Sequence, residues 1–171
     1  MPQLRDDEEE LKCRAAALFN EVINSDLTAL AERIDAGAPI NFMGTCGEAP
    51  LHIAIYKRDD SMIQMLLDAG ADIMFQNSNL DTALHIAARM GLPHVVERLY
   101  DGASELNKKR LFLQKRNRDG YTALTIACMH VQDWELDLTR LYRSWDHKKD
   151  PSLDDESYPL HHGRLACRNF L

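Results

Sequence analysis

The stretch that decides the fold is "APLHIAIYKRDDSMIQMLLDAGADIMFQNSNLDTALHIAARMGLPHVVERL", residues 49–99, because it carries nearly the same pattern twice. P-L-H-I-A at residues 50–54 returns as A-L-H-I-A at residues 83–87, and the spacing is 84 − 51 = 33. A third copy, T-A-L-T-I-A at residues 122–127, follows at 124 − 84 = 40. A period of this length indicates stacked supersecondary units.

Each copy predicts a pair of short helices. The second helix has apolar residues at helical spacing, namely Ile63, Leu66 and Leu67 in one unit and Val95, Val96 and Leu99 in the next. Gly70 follows that helix at the place of a left-handed cap. The first helices carry small residues that allow close approach, namely Ala54, Ala87 and Ala127. Because no unit buries its apolar face alone, stacking has to supply the core.

The period and the T-P-L-H-x-A pattern resemble the ankyrin repeat over residues 11–145. The resemblance implies an all-α repeat solenoid of about four repeats, each a helix-turn-helix with a β-hairpin loop. Residues 18–41 look like an N-terminal cap, and residues 119–146 look like a C-terminal cap whose second helix would use Leu138, Leu141 and Tyr142. We expect an acidic N-terminal segment at 1–10, the repeat domain at 11–145 and an acidic, disordered tail at 146–171.

Composition narrows the class of protein. The net charge of −7 argues against a whole-surface affinity for nucleic acid or anionic membrane. No apolar run reaches the roughly 20 residues that span a bilayer, and the N-terminus is acidic where a secretory signal is basic. The four cysteines form no C-x-x-C pair, and H-H-G-R-L-A-C at 161–167 is too sparse for a metal site. We expect a soluble cytoplasmic monomer without a cofactor, with the nucleus as a second compartment.

Catalytic motifs are absent from the sequence: there is no Gly-rich phosphate loop, no G-x-S-x-G and no H-E-x-x-H. His52 and His85 invite a catalytic role, but the resemblance implies that this histidine bonds locally and ties the turn between units. Thr125 can supply a similar bond. Cys46 lies at a predicted hairpin tip, where a redox role is the alternative to plain exposure. We therefore predict a protein that is not an enzyme.

The ankyrin resemblance also implies a partner-binding groove made by hairpin tips and first helices. Its tip positions here are Met43, Thr45, Cys46 and Glu48, then Gln76, Ser78, Asn79 and Asp81, then Arg116, Arg118, Asp119 and Tyr121. Its helix positions are Tyr56, Lys57, Arg89, Met90, Met129 and His130. Aromatic residues, methionine and arginine are suitable interface anchors, although many of these positions are in the alternative only solvated.

The 40-residue spacing leaves 40 − 33 = 7 extra residues, which lie within residues 100–120, and this stretch contains a basic segment. Residues 108–118 hold six cations and no acid. Three interpretations stay open: cations at a helix C-terminus, a contact surface for an acidic partner segment, and nucleic-acid binding.

A narrower resemblance links the chain to IκB proteins, inhibitors of Rel/NF-κB transcription factors. "FQNSNLDTALHIA" at 75–87 is similar to an IκB repeat opening, and G-x-T-x-L at 120–124 follows a lengthened repeat as in that family. Ser152, followed by Leu153-Asp154-Asp155, resembles a phosphosite. The chain departs from IκB proteins in having about four repeats rather than six and in lacking D-S-G-x-x-S.

Two main functions follow. One is a protein-interaction module that acts as a binding inhibitor or scaffold, in the narrower form an IκB-like inhibitor of a Rel/NF-κB factor. The alternative is a substrate adaptor for a modifying enzyme such as a ubiquitin ligase, docking through residues 146–171. An enzyme with an unrecognised site is a third.

Overall fold

The fold is described from a computed structural model, which covers residues 3–102 and 114–130, with no side-chain description for residues 3–8, Cys128 and His130. Seven helices and no strand lie in these two ranges, so the described residues hold three helix pairs and the first helix of a fourth. The helices are α1 Gln3–Asn24, α2 Leu27–Asp35, α3 Pro50–Lys57, α4 Asp60–Asp68, α5 Ala83–Met90, α6 Pro93–Asp101 and α7 Ala123–His130.

The chain falls into two compact units, Met1–Ser78 and Asn79–Leu171. In the first unit, α1 packs against α2 and α3, while α4 packs against α3 and α2. In the second unit, α5 packs against both α6 and α7. Helix α1 runs unbroken through the acidic residues that the sequence set apart as 1–10, beginning at Gln3.

Helix starts repeat with the sequence period. Asp26 accepts hydrogen bonds from the backbone N–H groups of Thr28 and Ala29 at 3.1 and 3.0 Å, which caps α2. Asp59, at 59 − 26 = 33, accepts from the N–H of Met62 at 3.0 Å and caps α4. At the third equivalent position the side-chain cap is missing, and Pro93 opens α6 instead.

Left-handed residues join the two helices of each pair. They recur every 33 residues as Ser25, Arg58 and Gly91, with φ of 60°, 57° and 65°. Only glycine adopts this region without a steric cost, so Ser25 and Arg58 are strained where Gly91 is not. Gly70 is left-handed at φ 88°, in the predicted position just after α4.

The buried residues follow the predicted pattern with one correction. Ile63, Leu66, Val95, Val96 and Leu99 are fully buried, and so are the three first-helix alanines. Leu67, predicted for the core, is only half-buried, and Met62 is fully buried in its place. Positions 62, 63 and 66 lie on the core-facing side of α4, and position 67 lies at the edge of that side.

Several predictions concern residues outside the described ranges. They are the second helix of the fourth repeat with Leu138, Leu141 and Tyr142, the tail 146–171 with Ser152, the 161–167 stretch and residues 108–113 of the basic segment.

Candidate protein-interaction surface

Three loops hold the predicted tip positions, and each loop closes with a narrow turn. In the first, Gly44 N–H donates to Glu48 O and Gly47 N–H donates to Gly44 O, both at 2.9 Å. In the third, Asn117 N–H donates to Tyr121 O at 2.9 Å and Gly120 N–H to Asn117 O at 3.0 Å. These short turns take the place of the predicted β-hairpins without forming a strand in the described residues.

A buried polar pair joins two loops in the first unit. Nδ2 of Asn77 donates to both carboxylate oxygens of Glu48, at 2.9 and 3.0 Å. The backbone N–H and the hydroxyl of Ser78 both donate to Gly47 O, at 2.9 and 3.2 Å. Because Asn77 is buried, these bonds replace water and fix the two loops side by side.

The second unit repeats this arrangement with an aspartate. Nδ2 of Asn117 donates to Oδ1 of Asp81 at 3.0 Å, and Arg118 N–H donates to Asn79 O at 2.8 Å. Oδ1 of Asn117 accepts from the N–H groups of Asp119 and Tyr121, at 3.1 and 2.9 Å. One asparagine therefore shapes its own loop and ties it to the preceding loop.

The first loop lacks such an asparagine. Gly44 stands at the position of Asn77 and Asn117, and a Cβ atom added there would lie 2.6 Å from the Phe19 ring. The Phe19 and Phe42 rings meet edge to face at 5.8 Å. In the first loop the Phe19 ring therefore lies against Gly44, where the next two loops have an asparagine side chain.

Arg89 is held by the fold as well as being a predicted partner contact. Its guanidinium donates to Oδ2 of Asp81 at 2.8 Å, and the Asp81 side chain is only 1% exposed. Both oxygens of this buried carboxylate are thus satisfied, one by Arg89 and one by Asn117. Removing either donor would leave part of a buried charge uncompensated.

Lys57 is also engaged within its unit. Its ammonium donates to Ile23 O and, at 2.9 Å, to Oγ of Ser25. Ser25 is the left-handed residue between α1 and α2, so the lysine secures the turn of the first helix pair. The sequence predicted a partner contact here and missed this long-range bond.

The remaining predicted contact residues differ in exposure. Tyr56, Gln76 and Met90 are half-buried. The exposed ones in the first unit are Met43, Thr45, Cys46 and Ser78. Those in the second unit are Asn79, Arg116, Arg118, Tyr121 and Met129. Each unit therefore presents its own set of tip residues to solvent.

The two repeat histidines are buried and bonded at their helix starts. Nδ1 of His52 accepts from Ala49 N–H at 3.2 Å and lies 3.1 Å from Oε2 of Glu48. Nδ1 of His85 lies 3.2 Å from the backbone N and 2.8 Å from Oγ1 of Thr82, and its Nε2 lies 3.1 Å from Tyr121 O. His85 thus links the start of α5 to the next loop.

The charge state of His85 follows from its surroundings. Burial lowers the pKa of His85 below its ordinary value of 6.5, and Arg89 acts in the same direction. The Asp81 carboxylate and the backbone carbonyls of Tyr121 and Lys115 oppose this shift. A neutral imidazole with its proton on Nε2 fits the contacts, because Nδ1 accepts from Thr82 and Nε2 donates to Tyr121 O.

Thr125 replaces the histidine in the third copy. Its hydroxyl lies 3.0 Å from the hydroxyl of Thr122, and its N–H donates to Thr122 Oγ1 at 3.3 Å. Both of these contacts are local and lie at the start of α7.

The described part of the basic segment contains two outward-facing guanidinium groups. Arg116 donates to Gly120 O at 2.7 Å, while Lys115 is half-buried. Within residues 114–130 and the earlier described range, the Arg118 side chain makes no hydrogen bond or salt bridge. Both arginines are exposed beside the exposed Asp119.

Three further features of the described ranges concern thiols, metal ligands and apolar helices. Cys46 and Cys13 are exposed free thiols. No group of three or more His, Cys, Asp or Glu side chains within residues 3–102 and 114–130 is placed to hold a metal ion. Within the same ranges, no helix has the length and apolar character needed to cross a membrane.

The buried Asn–carboxylate pairs were missed from the sequence, although the period contains a signal for them. Glu48 and Asp81 are 81 − 48 = 33 residues apart, each four residues before its histidine. Asn77 and Asn117 are separated by 117 − 77 = 40, the spacing of the second and third copies. Polar residues that recur at the repeat spacing therefore point to a contact between successive loops.

The repeat region matches a model of a known protein family. A family model described as "Ankyrin repeats (3 copies)" matches residues 15–110 and 51–135, which together span more than half of the chain. No curated protein matches the chain.

Proposed function

Because the chain belongs to the ankyrin-repeat family and has its all-α repeat fold, we propose that it is an inhibitor or scaffold that binds another protein through its loop tips and first helices. Ankyrin repeats are protein–protein interaction modules and are typically not catalytic. In its narrower form, the proposed function is IκB-like inhibition of a Rel/NF-κB transcription factor. The chain would cover a segment that the factor needs for DNA binding or nuclear import.

The observation that carries this proposal is the fixed presentation of the tips. In each unit a buried asparagine bonds a carboxylate of the neighbouring loop, Asn77 with Glu48 and Asn117 with Asp81. The exposed tip residues are thereby held on a bonded frame before any partner arrives. Preorganisation of this kind lowers the ordering cost of association.

The narrower IκB-like function has its support in residues 75–87 and 120–124. The first of these stretches contributes Asn77, Asp81 and His85 to the buried contacts described above. The second contributes the loop end whose Tyr121 carbonyl bonds His85. With this function we propose a monomer, cytoplasmic and with access to the nucleus, that uses no cofactor.

Affinity capture from cell lysate with identification by mass spectrometry tests the proposal. The parent chain is compared with Arg116→Glu/Arg118→Glu, which reverses two exposed tip charges. The matched control is Lys12→Glu/Arg33→Glu, the same charge change at exposed residues of α1 and α2. Arg89 is left intact, because its loss would strand the buried Asp81 and confuse folding with binding.

A Rel-type factor that is enriched by the parent and the control, and lost with the tip variant, supports the inhibitor. A DNA-competition titration then tests occlusion. Absence of any specific partner contradicts the proposal.

The adaptor alternative is favoured by the sequence LACRNFL at 165–171, which has the apolar and basic character of a docking motif. It predicts that ubiquitin-ligase or kinase subunits are captured equally by the tip variant. It also predicts that deletion of residues 146–171 abolishes this interaction and spares another.

A further inference from the structure

Leu80 stands in a backbone conformation that glycine occupies at both equivalent positions. Gly47, Leu80 and Gly120 fall at the same place in the three loops, with φ of 79°, 59° and 80°. For an L-residue this left-handed region costs roughly 1–2 kcal/mol. Leu80 also leaves 45% of its surface exposed to water. Leu80 thus combines backbone strain with apolar exposure, and strained residues of this kind concentrate at functional sites.

The neighbours of Leu80 place it beside the described part of the basic segment. Asn79, before it, accepts the backbone N–H of Arg118 at 2.8 Å. Asp81, after it, accepts the side-chain amide of Asn117 at 3.0 Å. Both residues that flank Leu80 are therefore bonded to the loop at 115–121, and the exposed side of that loop carries Arg116, Arg118 and the 39% exposed Tyr121.

The local charge of this region opposes that of the whole chain. Residues 115–121 hold Lys115, Arg116 and Arg118 against Asp119 alone, and three further cations occupy 108–110 in the sequence. The whole chain has a net charge of −7. A cationic region on an acidic protein attracts anionic partners to that region selectively.

We propose that Leu80, Tyr121, Arg116 and Arg118, which we call the Leu80 site, dock an extended acidic segment of a partner protein. Leu80 and Tyr121 bury an apolar side chain of the segment, and the two guanidinium groups bind its carboxylates, for which their planar geometry is suited. This inference rests on the proposed function and names the class of partner for the second unit. Nucleic acid fits less well, because the exposed Asp119 carboxylate and the Leu80 side chain stand beside the two exposed arginines of residues 114–121.

Fluorescence anisotropy on the full chain tests the Leu80 site directly. The probe is a labelled short peptide rich in Asp and Glu around a single Leu, and its control peptide has Asn and Gln in place of the acids. Leu80→Gly is compared with Leu11→Ala, which shortens an exposed leucine of α1. Arg116→Gln/Arg118→Gln is compared with Lys12→Gln/Arg33→Gln.

We expect the acidic peptide to bind the parent, with an affinity that falls as salt rises, and the neutral peptide to bind much more weakly. Leu80→Gly weakens binding about tenfold, which corresponds to ~1.4 kcal/mol, while its urea midpoint stays level or rises because the left-handed strain is relieved. A purely structural leucine would not give weaker binding together with an unchanged or higher midpoint. The arginine pair variant weakens binding and flattens the salt dependence, and both controls bind as the parent does.

Four results would overturn the Leu80 site. The first two are that Leu80→Gly binds the acidic peptide as the parent does, and that the neutral peptide binds as tightly as the acidic one. The other two are that single-stranded DNA displaces the labelled peptide at a lower concentration than the unlabelled peptide does, and that Asp154→Asn/Asp155→Asn binds the peptide more tightly than the parent. The last would identify the chain's own acidic stretch as the occupant. If lysate capture yields a partner that the acidic peptide does not displace, the Leu80 site fails and the proposed function stands. If the peptide binds as expected and no Rel-type factor is captured, the Leu80 site stands and the IκB-like function fails.

Discussion

Nδ2 of Asn117 donates to Oδ1 of Asp81 over 3.0 Å, and this bond joins loops 36 residues apart in sequence. The other carboxylate oxygen of Asp81 accepts from Arg89. The side-chain oxygen of Asn117 accepts two backbone N–H groups of its own loop. The loop that carries Arg116, Arg118 and Tyr121 therefore depends on one asparagine both for its conformation and for its attachment.

Asn117→Asp tests that dependence. The change removes the Nδ2 donor and places a second carboxylate against the buried one, so we expect the free energy of unfolding to fall by about 3 kcal/mol near neutral pH. Urea denaturation measures it. Asn20→Asp, the same chemical change at an exposed position of α1, is the control and should change stability by less than ~0.5 kcal/mol. Equal losses in the two variants would show that the Asp81 contact is not what matters.

His85 should make stability depend on pH. Its folded-state pKa is lowered from 6.5 by burial, so the native state resists a proton that the unfolded chain accepts. The contribution of the neutral imidazole to stability is complete above pH 6.5 and is lost as pH falls from there towards the lower folded-state pKa. In this window the free energy of unfolding falls by at most about 1.4 kcal/mol per pH unit. Urea denaturation of the parent and of His85→Gln from neutral pH downwards measures the effect.

The stability difference between parent and His85→Gln is expected to shrink below pH 6.5, since the other histidines titrate in both proteins. A difference that stays constant or grows with acid would mean that His85 is not held neutral.

Arg58→Gly should stabilise the first unit. Arg58 is left-handed at the position where Gly91 stands in the next helix pair. Relief of about 1–2 kcal/mol of steric cost exceeds the roughly 0.5–1 kcal/mol that glycine loses in chain entropy, so a net gain of about 0.5–1 kcal/mol is expected. Gln64→Gly, within α4, should instead lose about 1 kcal/mol. Destabilisation by both substitutions would refute the strain argument.

The repeat spacing predicted what depends on local pattern. It predicted the buried alanines of the first helices and the left-handed Gly70 after α4. It also predicted that Ile63, Leu66 and Val95 are buried, because helical periodicity determines which face of a helix is apolar. It did not predict the bond of Lys57 to Ser25, the bond of Arg89 to Asp81 or the Asn–carboxylate pairs. Each of those depends on which side chains the fold brings together across 8 to 36 residues. Periodicity identifies the apolar face of a helix, but it does not identify a hydrogen-bond partner on another helix or loop.

For the candidate surface, the sequence predicted the exposed residues of the loops but not the bonds made by the helix residues. Tip residues such as Thr45, Cys46, Arg116 and Arg118 are exposed, as loop positions should be. Lys57 and Arg89 were predicted as partner contacts on the first helices, yet both side chains bond within their own unit. In the sequence, Leu80 is distinguished only by its alignment with Gly47 and Gly120. Its left-handed conformation is seen in the backbone of the structure.

Hydrogen–deuterium exchange of the full chain, alone and saturated with its captured partner, tests the central claim that binding uses the loop tips. The account predicts protection concentrated in residues 43–47, 76–81 and 115–121, with little change in the exposed parts of α4 and α6. Protection confined to α4 and α6, with the three loops unchanged, would contradict it.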